Sequence, residues 1–318
     1  MTTKKQIIQL IILVVITSLL LFTVEQVIQT SLRNETEGTI GKINAVITKK
    51  IDPELSIWGA STALTHFNAN RISDSLDINA FNMGIDGTNI DQFNGLLKDY
   101  ITNSINSKFI ILALDIHGAL TKRKSLYNIH NWIHHMDNEN INNCFKSIDK
   151  KIILKSKYIP FFNLTLYSKH NFRSVITNIN SQKLTYLFPN KGYHPKAPKK
   201  TNFSKDRLEM INLSFDRSVF NKIKENCILA TQKNIKPIII LTPCYKKGLE
   251  HLSNANEIRT WMKKLENFGV IFYDFSNSNI AQDSTFFIDY THLNKIGAEK
   301  LTDKFIKVIK KDFFNKKM

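Results

Sequence analysis

Phe109-Ile110-Ile111-Leu112-Ala113-Leu114 is an unbroken apolar run, too short for a self-burying helix and without the polar alternation of a half-exposed strand. It reads as a strand buried on both faces, which is what a parallel sheet covered by helices requires. Pro237 to Thr242 (PIIILT) and Val270 to Tyr273 (VIFY) read the same way, Leu55 to Trp58 reads as a further strand, and Ile78 to Phe81 as a weaker one. Between them lie helix-like stretches at Thr62 to Leu76, Asn89 to Asn103, Phe215 to Lys233, Asn256 to Phe268 and Leu293 to Lys311. Apolar strands separated by helices predict an α/β domain with a parallel sheet. In the last stretch Leu293, Ile296, Leu301, Phe305, Val308 and Ile309 share one face, as in an amphipathic closing helix capped by Asn294 or Thr291.

The N-terminus sets the context. Lys4-Lys5 precede Ile7 to Phe22, an uncharged segment whose length, counted from Gln6, approaches what a bilayer core demands. No small-x-small cleavage site follows it, so a retained anchor over residues 6–23 is expected rather than a cleaved signal peptide or a buried core helix. The lysines before the span predict a cytoplasmic N-terminus and an extracytoplasmic domain on the cytoplasmic membrane of a bacterium, against which Lys49 and Lys50 weigh slightly. The expected organisation is an anchor at 1–25, a stalk or first helix at 26–50 and an α/β domain at 51–318. Within that domain, roughly 119–214 breaks the strand-helix rhythm with scattered aromatics and prolines. It reads as an insertion packed over the strand ends, a lid or substrate wall.

The chain has 318 residues and a net charge of +17. The lysines are dispersed and accompanied by abundant Asn and Ile, which favours composition over attraction to anionic headgroups or glycans as the origin of that charge. No nucleic-acid module is present, so nucleic acid is not an expected partner. Nor is there a glycine-rich phosphate loop. Cys144, Cys227 and Cys244 fit no zinc spacing and allow one disulfide with a free thiol, or three buried thiols. His130, His134 and His135 offer a helical metal-pair spacing but no carboxylate partners, so neither metal nor cofactor is expected.

Sites on parallel sheets lie beyond the carboxyl ends of the strands. Ser61, Gly87, Asp115 and the 243–245 segment all fall there. Trp58-Gly59-Ala60-Ser61 offers an alcohol, and Asp289-Tyr290-Thr291-His292 offers an acid and a base just ahead of the last helix. A serine needs a base to take its proton, a group to orient that base, and donors for the oxyanion. Each residue also has a plainer reading: Ser61 as a helix cap, His292 as a surface residue, Asp289 as a turn residue, Asp115 as a binder of loop amides.

In this order the blocks Gly59-Ala60-Ser61, Asn82-Met83-Gly84-Ile85-Asp86-Gly87 and Asp289-Tyr290-Thr291-His292-Leu293-Asn294-Lys295-Ile296-Gly297 resemble the SGNH (GDSL-type) hydrolase superfamily, over roughly 55–118 and 235–310. The resemblance is to its divergent, membrane-anchored members linked to acylation of envelope polymers. It implies a flavodoxin-like three-layer α/β/α sandwich. It also implies Ser61 as nucleophile, His292 as base, Asp289 as orienting acid, and the N–H groups of Ser61 and Gly87 as an oxyanion hole. Asn82 and His117 are further residues expected to line the site. The third block departs from the pattern: where the family places Gly-x-Asn-Asp, this chain has Ala113-Leu114-Asp115-Ile116-His117-Gly118. An ionised Asp115 cannot donate to an oxyanion. Either two N–H groups suffice, or His117 supplies the missing donor, or the chemistry is altered. The activity implied is that of a serine esterase or O-acyltransferase on acyl, chiefly acetyl, esters of an envelope glycan, with an acylated carbohydrate or other ester as substrate and the envelope acylation machinery as partner. A carbohydrate-binding or assembly protein that has lost catalysis, and a lipid esterase, are the rival expectations.

Overall fold

A computed structural model describes residues 2–178, 185–199, 201, 203 and 209–314. Five strands, β1 (Leu55–Gly59), β2 (Ala80–Asn82), β3 (Phe109–Leu114), β4 (Lys236–Leu241) and β5 (Ile271–Asp274), form one sheet in the order β2-β1-β3-β4-β5. Every pairing is parallel. The strand order reverses at β1/β3, the switch point where open α/β sheets form their crevice.

The apolar runs are continuous because both sheet faces are covered. Ile110, Leu112, Leu114, Ile239 and Leu241 point into one cluster. It is closed by helices α2 (Gly38–Ile47), α5 (Ile90–Asn103), α9 (Arg217–Gln232) and, after the short α10 (Lys246–Glu250), α11 (Ala255–Lys263). Leu55, Ile57, Ile111, Ala113, Ile238 and Ile240 point the other way. There they meet α3 (Ser61–His66), α4 (Ala69–Leu76) and α12 (Lys295–Ile309). The result is a three-layer α/β/α sandwich. The strands lie within a residue or two of their expected bounds, because period and length suffice to define a doubly buried strand.

The helical segments differ from expectation in several places. Thr62 to Leu76 is two helices, since Phe67 adopts an extended backbone and Asn68 caps α4 by accepting from the Arg71 N–H at 3.2 Å. The break is held from outside: Thr302 Oγ1 accepts from the Asn68 N–H at 3.1 Å and Asn82 Nδ2 donates to the Phe67 carbonyl at 2.9 Å. The insertion also divides. Helix α6 (Glu139–Ile148) packs on α5, with Gly95 against the Asn140 backbone. Helices α7 (Lys150–Tyr158) and α8 (Lys169–Asn178) follow, and α8 packs along α1. Among the insertion's described residues, 123–127 and about 187–199 border the strand ends, through Arg123 Nη1 to the Gly87 carbonyl at 3.0 Å, Tyr127 against Gly87, and Gly192 against the Asn82 carbonyl; 179–184, 200, 202 and 204–208 lie outside the described residues.

Helix α1 (Thr2–Arg33) is long and apolar enough to cross a membrane. The boundary expected at 25/26 falls inside it. Residues through Val24 stand free of the domain, whereas Ile28 and Leu32 are buried with Ile133 and Tyr167. Residues 26–50, expected as a stalk or a first helix, complete α1 and form α2, which contributes Ile43 and Val46 to the core. The junction is polar as well as apolar. Asn44 Nδ2 donates to the Leu32 and Glu35 carbonyls at 2.7 and 2.8 Å. Its Oδ1 meets Nε2 of both His134 and His135, at 3.2 and 2.6 Å. These histidines are thus committed to an amide, and among the described residues no cluster suited to a metal ion occurs. All three cysteines are buried free thiols.

Burial holds the imidazoles of His134 and His135 below the ordinary histidine range, His135 at about 4. Both stay neutral in the fold but protonate in the unfolded chain below about pH 6.5. Stability is therefore full above that pH and falls as pH drops towards 4, at about 1.4 kcal/mol per unit of depression. Urea midpoints measured from pH 7 to pH 4 are expected to fall through this window, and less steeply in His135→Gln.

Candidate active site

The chain leaves β1 through Gly59. A Cβ there would lie 2.2 Å from the Ala113 carbonyl oxygen and 2.6 Å from the Ala63 Cβ, so only glycine lets α3 start this close to β3. Ala60 occupies the cap position of α3 without a side-chain bond. Ser61 is the first residue inside the helix, and its Oγ lies 2.8 Å from His292 Nε2. The hydroxyl thus serves the imidazole rather than capping the helix.

His292 is fixed from its other side. Its Nδ1 lies 2.8 and 3.0 Å from the two Asp289 oxygens. Asp289 Oδ1 also accepts from the N–H groups of Thr291 and His292 at 2.9 and 2.8 Å. The loop is clamped at its base by the Phe287–Leu293 bridge, by the Ile288 N–H to the His292 carbonyl at 2.9 Å, and by Asn294. Asn294 caps α12, accepting from the N–H groups of Ile296 and Gly297. The Asp289 hydrogen bond raises the His292 imidazole above its ordinary range, against the opposing effect of burial. Burial pushes the Asp289 carboxyl up, but the His292 ring and the two amides outweigh it and hold Asp289 well below the usual carboxylate range. An imidazolium formed at His292 would therefore sit beside a fixed negative charge. Ser61, His292 and Asp289 form one hydrogen-bonded chain across 231 residues of sequence separation.

The remaining expected site residues are placed differently. Asn82 is fully buried and spends its amide on structure: Nδ2 donates to the Ala63 and Phe67 carbonyls, and Oδ1 accepts from Gly84. It does not line the site by contact but ties α3 to the turn after β2. Gly87 has φ +71°, and a Cβ there would lie 1.9 Å from the Tyr127 ring, so left-handed backbone and ring packing explain the glycine here. Asp115 accepts from the Gly118 N–H at 2.8 Å and lies 4.0 Å from His117 Nδ1. Its charge, with that of Asp86, is close enough to raise the His292 imidazole further. Burial lowers the His117 imidazole below its ordinary range. Cys244 is buried, its thiol pushed up to about 12, and inert as a nucleophile.

Two residues that support this arrangement carry no motif. His66 is fully buried at the end of α3, its ring edge-on to His292 at 6.4 Å. Its Nε2 accepts the Leu293 N–H at 2.9 Å, pinning the residue next to His292, and burial pushes it down to about 3, so it stays neutral. Lys42, also buried, donates to the carbonyls of Gly84 at 3.1 Å and Gly192 at 2.9 Å, and burial lowers it to about 7. It joins α2, the turn after β2 and the insertion. The insertion reaches the site region through the His194 N–H to the Leu64 carbonyl at 3.0 Å, the Lys295 N–H to the Lys196 carbonyl at 2.7 Å, and Phe203 packed on Tyr245 and Tyr290. A lone histidine on an apolar helix face reads as core, and a lysine near a span reads as surface. Neither is marked in sequence.

No family model and no curated protein matches the chain. Among solved structures it is similar to a "putative acylhydrolase" from Bacteroides fragilis NCTC 9343, at 12% identity and a TM-score of 0.40 over 83% of this chain and 92% of that one. A likeness that distant carries no argument about chemistry. The site rests on its own geometry.

His66→Ala leaves the buried Leu293 N–H without its acceptor, a loss of about 1–3 kcal/mol before any cavity cost. Thermal unfolding is expected to show that loss, and exchange protection of the Leu293 amide should fall with it.

Proposed function

We propose that the protein is a serine esterase or O-acyltransferase, of the SGNH type that its motifs resemble, acting on acyl esters of an envelope glycan. One observation carries the reading: the His292 imidazole bridges the Ser61 hydroxyl and the Asp289 carboxylate at 2.8 Å on either side. In this reading Ser61 Oγ attacks the ester carbonyl while His292 Nε2 takes its proton. Asp289 keeps the His292 Nδ1–H tautomer and stabilises the imidazolium. The tetrahedral intermediate collapses to an acyl-enzyme as His292 returns the proton to the leaving alcohol. Water or a second sugar hydroxyl, deprotonated by the same imidazole, then releases the acyl group. The N–H of Ser61, free of an intrahelical partner at the first turn of α3, is one oxyanion donor, and the Gly87 N–H is proposed as the second. The apolar α1 supports a location at the membrane, with the domain outside the cytoplasm by the positive-inside rule.

A second reading has an observation in its favour. Asp115 stands where the related pattern has a donating side chain, and its carboxylate is already engaged by the Gly118 N–H. A missing oxyanion donor costs about 10²–10³ in rate. A glycan-binding protein with the same cleft would share that feature.

The full chain is expected to react with a serine-directed fluorophosphonate, and Ser61→Ala to lose the label while remaining folded. Asp289→Asn should slow labelling by about 10⁴-fold, because the imidazole then holds the wrong tautomer. No label on the folded wild type, together with glycan binding that survives Ser61→Ala, would favour the second reading.

A further inference from the structure

We propose that the surface formed by α7, the turn over 159–166 and α8 lies on a bilayer with anionic headgroups, the same bilayer that α1 enters. The proposal rests on reading α1 as a membrane span and adds to it a second contact that fixes the domain against the membrane.

The free apolar side chains of α1 continue through Phe22 and Val24. Glu25, the next residue, is buried and accepts from Asn163 Nδ2 at 2.9 Å. From Phe22 to Glu25 is about 4.5 Å along a helix axis. The 159–166 turn therefore meets α1 within one helical turn of the end of its apolar stretch, at the depth where headgroups begin. Helix α8 lies alongside as well: Ser31 Oγ meets the Ser174 carbonyl at 3.4 Å, and Val175 packs with Ile28 and Leu32. Helix α1 has no glycine or proline, the usual sites of sharp kinks, so the span and the docked segment move as one rod. The domain cannot swing away from the surface without undocking Ile28 and Leu32.

Tyr158, Ile159, Phe172 and Ile176 stand exposed on this surface, Ile176 at 78% and Tyr158 at 67%. Such a concentration of large apolar side chains on water is unusual unless something covers it. From Lys150 to Asn178 the chain has no aspartate or glutamate, but it carries Lys150, Lys151, Lys155, Lys157, Lys169 and Arg173. Lys155 and Lys157 lie over the rings of Phe162 and Tyr158, at 5.7 and 5.2 Å. A flexible cation beside an aromatic ring is the arrangement that lets rings enter the interface while ammonium groups stay among phosphates. Each such cation is drawn to an anionic leaflet. A protein partner would have to be acidic and to fit in the thin layer beside α1, a place the bilayer already occupies.

The test uses the full chain in vesicles, with a nitroxide on a single introduced cysteine, in Leu13→Cys, Ile159→Cys or Ile176→Cys. The native cysteines are buried and do not compete for the label, and the replaced side chains are exposed, so folding is little affected. Collisions with oxygen are compared with collisions with a water-soluble nickel chelate. In mixed phosphatidylcholine and phosphatidylglycerol, labels at 159 and 176 are expected to favour oxygen several-fold over a label in water, at shallower depth than the label at 13. The combined change Lys150→Glu, Lys151→Glu, Lys155→Glu and Lys157→Glu should return both to water. An immersed label at 13 with water-exposed labels at 159 and 176 overturns the surface and leaves the span standing. Water exposure at all three overturns both. Equal immersion in phosphatidylcholine alone overturns the assignment of anionic headgroups.

Discussion

Parallel pairing of β1 with β3 is the constraint from which the rest follows. Strands that run the same way must release their chains at the same edge, and helices must carry each chain back. Here Gly59 sits opposite Ala113, so the segments leaving β1 and β3 start side by side. The Gly59–Ala113 contact permits nothing larger than hydrogen at Gly59, and it is this closeness that brings the first turn of α3 over the sheet edge. The alcohol, the acidic turn at Asp115 and the loop before α12 then converge without any of them being near in sequence.

Preorganisation comes from a shell of buried polar groups around that edge. Asn82 bonds α3 to the turn after β2, His66 bonds α3 to the loop before α12, and Asn294 starts α12 at a fixed angle. The two asparagines are fully satisfied by backbone, whereas His66 spends Nε2 on the Leu293 N–H and leaves a buried Nδ1 without a partner. The consequence for chemistry is that Asp289 and His292 meet Ser61 already aligned, and that three carboxylates, Asp289, Asp115 and Asp86, bias the same imidazole towards its charged form. A base poised this way takes a proton readily. The same carboxylates oppose an oxyanion nearby, which is the tension the Asp115 position introduces.

Much of this was legible in the sequence because it depends on local pattern. The strand runs at 109–114 and 237–242 declare themselves by length and composition, and the closing helix by its spacing. The hydrogen-bonded chain of Ser61, His292 and Asp289 joins residues that order and motif resemblance had singled out. What was not legible depends on partners far along the chain. The break at Phe67–Asn68 is imposed by Thr302 and Asn82. The role of His66 exists only once Leu293 is beside it. The sequence marks Gly87 only as an oxyanion donor; that Tyr127, forty residues on, occupies the space of its absent side chain depends on the fold. Sequence alone presents the insertion as one cover over the strand ends, but α6 joins the helical layer and α8 joins α1.

A single electrostatic coupling, that of His292 to Asp289, poises the base, and the imidazole reports it directly. Nitrogen-15 NMR titration of His292 in the full chain is expected to give a pKa above the ordinary 6.5 that falls in Asp289→Asn, because the hydrogen bond and charge of Asp289 raise it. A His292 that titrates at or below 6.5, unchanged by Asp289→Asn, would contradict it.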